Sequence, residues 1–122
     1  MPLLASTTRV LAAGRLGVSE DFAQDLSAEE KGVLVATQGP TQGAILQTTI
    51  TDAAWHNKPS WFVIASNDRT ISPKQEEFTA KRMGAKTLTL PTRHVPMLSK
   101  PKEVAAFIVE AAESARVAHA SK

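Results

Sequence analysis

Asp68 and His94 are the two residues of this 122-residue chain whose types could run proton-transfer chemistry together. A buried carboxylate beside an imidazole fixes the ring's tautomer and stabilises its imidazolium, so the ring can take a proton from a nucleophile and return it to a leaving group. They stand 26 residues apart, and only tertiary structure can join them. The plainer alternative is that Asp68 serves a turn and His94 packs. Other residue types offer less. Without cysteine there is no disulfide framework, no thiolate zinc site and no cysteine nucleophile. His56 and His119 have no metal-ligand spacing and read as surface residues, His119 near a fraying end. Gly84 reads as a helix stop, and no glycine-rich phosphate loop follows either strand; neither metal nor cofactor is expected. Trp55, Trp61 and Met83 read as packing, and Met97 as packing or pocket lining.

The elements that must position Asp68 and His94 are the most legible part of the chain. After Pro59, the run Trp61-Phe62-Val63-Ile64-Ala65 reads as a strand buried on both faces. Ser72 is a helix N-cap, Pro73 suits the first helical position, Gln75 has capping-box spacing, and Lys81 and Arg82 fill the last turn before Gly84. Thr87-Leu88-Thr89-Leu90 then alternates polar and apolar, the pattern of a strand with one buried face near a sheet edge. A helical crossover makes the two strands parallel, so both carboxyl ends share one edge, where α/β proteins keep their ligands. Pro101 starts a closing helix with Val104, Phe107, Ile108, Ala111, Ala112 and Ala115 on one apolar stripe laid on the sheet.

Upstream, Ser27 with Glu30 forms a capping-box pattern, and we read a helix up to Gly39-Pro40 in preference to a buried strand over Gly32 to Thr37. A second short helix is expected from about Thr41 to about Gln47, and Trp55 to Pro59 links into the buried strand. The first 19 residues hold no acid and include Arg9 and Arg15, a faint transit-peptide composition. We read residues 1–18 as a disordered start without a match.

Composition narrows the classes. At 43% hydrophobic and 21% charged residues the chain is an ordinary single α/β domain, and no stretch approaches the roughly 18 apolar residues of a membrane span. The net charge of +2 is interspersed, with no basic stripe for nucleic acid. No membrane or nucleic-acid partner is expected, and the location is read as cytoplasmic.

Asn67-Asp68-Arg69-Thr70-Ile71-Ser72-Pro73, Ala80-Lys81-Arg82-Met83-Gly84-Ala85 and His94-Val95-Pro96-Met97-Leu98-Ser99-Lys100-Pro101 resemble the C-terminal half of the α/β-hydrolase fold, in particular its small esterase, lipase and haloperoxidase-like members. Asp25 to Pro40 resembles, more loosely, that family's helical cap. The resemblance implies a partial α/β-hydrolase fold: a βαβ unit, a closing C-terminal helix and a cap remnant, with residues 19–57 cap-like and residues 58–122 catalytic. It implies the acid role for Asp68 and the general-base role for His94 in ester or related acyl hydrolysis. Arg93 stands where the family commonly has a small residue, and a cation pointing toward His94 would disfavour its protonated form.

The family's serine, in G-x-S-x-G ahead of the acid, has no counterpart here. The near miss Gly39-Pro40-Thr41-Gln42-Gly43 is rejected: a β-branched Thr41 resists the strained turn, and Pro40 hinders close approach. Gly39-Pro40 reads instead as punctuation between two cap helices. Two functions follow as expectations. One is a truncated or divided hydrolase that acts on a small ester-type substrate only when a nucleophile-bearing half completes it, or that has lost its activity. The other is a non-catalytic domain binding a small molecule or a protein. Exposed sheet edges also predict self-association.

Overall fold

The computed structural model describes residues 10, 11 and 14–120, with only the backbone of Val10, Leu11 and His119; the surface reading of His119 lies outside the described residues. In chain order the elements are β1 (Val10–Leu11), α1 (Arg15–Gly17) running into a π-helical stretch Val18–Phe22, α2 (Ala28–Thr37), β2 (Thr41–Gln42), 3₁₀ turns at Gly43–Gln47 and Ala54–His56, β3 (Trp61–Ala65), α3 (Pro73–Arg82), β4 (Lys86–Leu90), α4 (Pro96–Ser99) and α5 (Pro101–Ala120).

The βαβ unit forms as its local signals predict. β3 and β4 pair in parallel, Trp61 opposite Lys86 and Ala65 opposite Leu90. At the start of α3 the Ser72 hydroxyl accepts the Gln75 N–H at 3.3 Å, and Pro73 takes the first turn, where no N–H is needed. Gly84 ends the helix at φ +60, a left-handed conformation that side chains with a Cβ rarely adopt. β4 buries Leu90, half-buries Leu88 and exposes its threonines, as the alternation requires.

The expectation for β3 needs correction. Only Ile64 and Ala65 are buried, while Trp61, Phe62 and Val63 are half-exposed. Among the described residues this sheet has two strands, so the β3 edge away from β4 has no strand partner. The closing helix differs too. α5 buries Phe107 and half-buries Val104, Ala111 and Ala115, but Ile108 is 63% exposed and Ala112 is exposed as well. α5 contacts the preceding α4, and an exposed Lys86–Glu110 ion pair links it to β4.

Upstream, the Ser27–Glu30 capping box is complete, and α2 is a helix over residues that could have been read as a strand. The second cap helix begins later than expected. Thr41 and Gln42 are extended and pair antiparallel with Leu11 and Val10, and only Gly43–Gln47 turns, as a 3₁₀ segment. The partner strand lies 30 residues upstream, beyond the reach of a local pattern. Of the described residues within 1–18, Val10–Leu11 form β1, Arg15–Gly17 form α1, and Val18 is fully buried. Val18 packs with Ala23, Leu26 and Val95, flanked by Phe22, Leu34 and Val35. This apolar cluster joins residues 18–35 to the residue that follows His94. Among the described residues no helix is long and apolar enough to cross a membrane.

Candidate active site

The ladder between β3 and β4 continues beyond the strands and sets the site. The Ser66 N–H donates to the Leu90 carbonyl at 2.9 Å, and the Asn67 N–H to the Thr92 carbonyl at 3.1 Å. The two outgoing loops are thereby sewn together, and Asp68 and His94 meet at the carboxyl edge as expected. Asp68 Oδ2 lies 2.7 Å from His94 Nδ1. The Asp68 side chain is fully buried and that of His94 is 26% exposed. Asp68 Oδ1 accepts the N–H groups of Thr70 at 2.7 Å and Ile71 at 3.1 Å, an Asx-type turn that points the other oxygen at the ring.

Burial pushes the Asp68 carboxyl up, but the hydrogen bonds from His94, Ile71 and Thr70 outweigh it and hold the group below the ordinary carboxylate range. Asp68 is therefore ionised at neutral pH. An ionised Asp68 accepts a hydrogen bond from Nδ1–H, which keeps that proton on the ring and leaves Nε2 as the ring nitrogen free for proton traffic.

Residues between α1 and α2 hold both loops. The Phe22 ring lies 4.8 Å from the His94 ring, centroid to centroid. The Thr70 hydroxyl donates to the Asp21 carbonyl at 2.9 Å, and Arg69 Nε pairs with Asp21 at 3.5 Å. The Arg93 N–H donates to the Asp25 carboxylate at 3.0 Å, and its guanidinium donates to the Asn67 carbonyl at 2.9 Å. Arg93 thus ties the histidine loop to the cap and to the acid loop.

The structure gives the remaining candidates other places. Thr41 is exposed and extended in the β1–β2 pair, not at the apex of a strand-to-helix turn. His56 is exposed and stacks on Trp55 at 3.7 Å, and the Arg82 guanidinium lies 5.6 Å from the Trp55 ring centroid. Met83 is half-buried, whereas Met97 is exposed. Among the described residues no group of three or more His, Asp or Glu side chains could hold a metal ion. An apolar hollow of about 270 Å³ lies between α2 and α4, lined by Leu26, Val33, Leu34 and Leu98 with Glu29 and Glu30.

Four residues escaped the sequence reading. Asp21, Phe22 and Asp25 act across 49 to 72 residues, with no local signal of where they reach. Glu76 did leave a signal: with Ala80 and Met83 it occupies the inner face of α3 at i, i+4 and i+7, an odd place for an acid.

The fold is that of one class of protein. The alpha/beta hydrolase family matches residues 1–107, and the chain belongs to it. Among solved structures it is similar to the crystal structure of polyneuridine aldehyde esterase, with a TM-score of 0.71 at 16% identity, covering 90% of this chain and 51% of that one. The chain thus spans about half the length of that protein, and the likeness shows the fold. None of the curated proteins matches the chain in sequence.

Proposed function

We propose that this chain is the acid–base half of a hydrolase for esters or related acyl compounds: Asp68 orients and charges the ring, and His94 moves the proton. The observation that carries this reading is the 2.7 Å contact between Asp68 Oδ2 and His94 Nδ1, with a buried carboxylate and a partly open imidazole. In the full reaction a serine hydroxyl attacks the acyl carbon as Nε2 takes its proton. The imidazolium then returns that proton to the leaving alcohol, and a water repeats the sequence to free the acid. The serine and the oxyanion-hole donors would come from a nucleophile-bearing half on polypeptide outside these 122 residues.

Turnover of activated short-chain aryl esters tests the proposal. The chain alone should give none above a His94→Ala control, since both the nucleophile and the oxyanion hole contribute orders of magnitude in rate. Mixed with a polypeptide carrying the nucleophile half of an alpha/beta hydrolase, it should gain turnover that Asp68→Asn and His94→Ala each abolish. Turnover indifferent to both substitutions would sink the proposal. Turnover by the chain alone that Thr41→Ala removes would make Thr41 the nucleophile.

The hollow between α2 and α4 favours a second reading, a binding domain for a small apolar molecule. Saturable binding that Leu34→Glu abolishes, without turnover in the completed enzyme, would support it over hydrolysis.

A further inference from the structure

Glu76 is an acid on the inner face of α3 and only 8% exposed, a position where a lone ionised carboxylate is strongly disfavoured. Its Oε2 accepts the Ala65 N–H at 2.7 Å, at the last residue of β3. The Ala65 carbonyl in turn accepts the Asp68 N–H at 3.1 Å, so Ala65 is bonded to both residues, Asp68 is buried as well, and the two carboxyls are neighbours close enough to bear on each other's protonation. Two neighbouring buried carboxyls do not both ionise readily; they share a proton. The donors around them decide where it resides. Asp68 receives the Thr70 N–H, the Ile71 N–H and the His94 ring, whereas Glu76 receives the Ala65 N–H alone. The charge therefore belongs on Asp68 and the proton on Glu76.

We propose that Glu76 is a positioning residue for His94 that acts through Asp68: as the neutral acid it donates a further hydrogen bond to the Asp68 carboxylate while bracing the end of β3 from which the Asp68 turn departs. Its mechanistic meaning rests on the reading of Asp68 and His94 as an acid–base pair. Glu76, Asp68 and His94 then form one chain of hydrogen bonds from the interior to the open edge, each group fixing the direction of the next. Two other titratable groups bear on Glu76: Asp68 in the turn after β3 and His94 in the loop after β4. Burial pushes the Glu76 carboxyl up, and neighbouring Asp68 pushes it further, against the opposing pull of the Ala65 N–H and of His94.

The test is an NMR pH titration of the full chain, labelled at carboxyl carbons and imidazole nitrogens, as wild type, Glu76→Gln and Glu76→Ala. In the wild type the Glu76 carbon should titrate above the ordinary glutamate range, and the His94 ring nitrogens should record the same event as a separate step. Glu76→Gln keeps an acceptor for Ala65 and a donor for Asp68, so it should lose that step yet retain the low-field Nδ1–H resonance of the His94–Asp68 bond. Glu76→Ala should broaden or lose the resonance.

A Glu76 carbon titrating in the ordinary range overturns the proposal, and that measurement needs no variant. So do identical His94 curves in wild type and Glu76→Gln, or an unchanged Nδ1–H resonance in Glu76→Ala. None of these readouts involves turnover. A completed enzyme indifferent to Asp68 and His94 would refute the hydrolase reading and leave these curves as expected.

Discussion

The edge that carries His94 and the segment leading into β3 are built to opposite standards. At the edge, the cap, the acid loop and the histidine loop are cross-linked by hydrogen bonds over long stretches of sequence, around a cluster with Val18 at its centre. In the approach to β3, Ile45, Leu46 and Ile50 stand in solvent, Ile50 at 77% exposure. Phe78 on α3 and Ile108, Val109 and Val117 on α5 are exposed as well. The contrast teaches where the chain spends its long-range bonds: on the acid–histidine pair, while much apolar surface elsewhere stays exposed.

The largest effect expected from breaking this contrast is in the cluster. Leu26→Ala removes a buried side chain between cap and histidine loop and should lower unfolding stability by about 2 to 5 kcal/mol in urea melts. Ile50→Ser, in solvent already, should change stability by less than about 0.5 kcal/mol. The same purified variants sharpen the comparison in light scattering. The wild type should self-associate through exposed apolar surface and the free β3 edge, and replacing Ile45, Leu46 and Ile50 together by serine should lower its average mass. Equal stability losses at Leu26 and Ile50 would erase the distinction between the regions.

A middle-sized effect is expected from pH. The folded Asp68 carboxyl lies below its unfolded value of about 3.9, so its stabilisation is fully present above that pH and is lost as pH falls through the lower folded value. Asp68→Asn should be less stable than wild type by about 1 to 3 kcal/mol at pH 7, with the gap closing below about pH 4. Urea melts at a series of pH values check the slope. A gap that stayed constant to pH 2 would mean that the charge of Asp68 contributes nothing.

The smallest effect is expected from Arg69→Ala. The Arg69–Asp21 pair joins the cap to the acid loop, but both side chains are more than half exposed. Its loss should lower stability by about 0.2 to 1 kcal/mol at low salt and less at high salt, read from the same melts.

What was legible in the sequence follows the range of the forces involved. The capping box at Ser27, the Ser72-Pro73 start and the Gly84 stop are written within one or two turns of chain, and each element they bound is present. The pairing of Asp68 with His94 was also within reach, because a parallel βαβ unit leaves both loops at one edge. Thr41 could not be placed, since its extended conformation depends on Leu11 across the β1–β2 pair. The role of Phe22 depends on His94 in the same way. Trp61, Phe62 and Val63 mark a different limit: their apolar character expresses a demand for neighbours that the described two-stranded sheet does not meet.

The long reach of the cap contacts has a consequence for the order in which the site comes into being. β3 and β4 join through ladder contacts about 25 residues apart, while the Arg93 bond to Asp25 spans 68. Closing the longer loop carries the larger chain-entropy penalty, although the penalty grows only with the logarithm of length. Local pairing therefore comes first and brings the acid loop alongside the histidine loop. The ring of His94 gains its ceiling of Phe22 only once residues 72 positions upstream have folded back, so the pairing with Asp68 is expected to precede the shelter over the ring on folding.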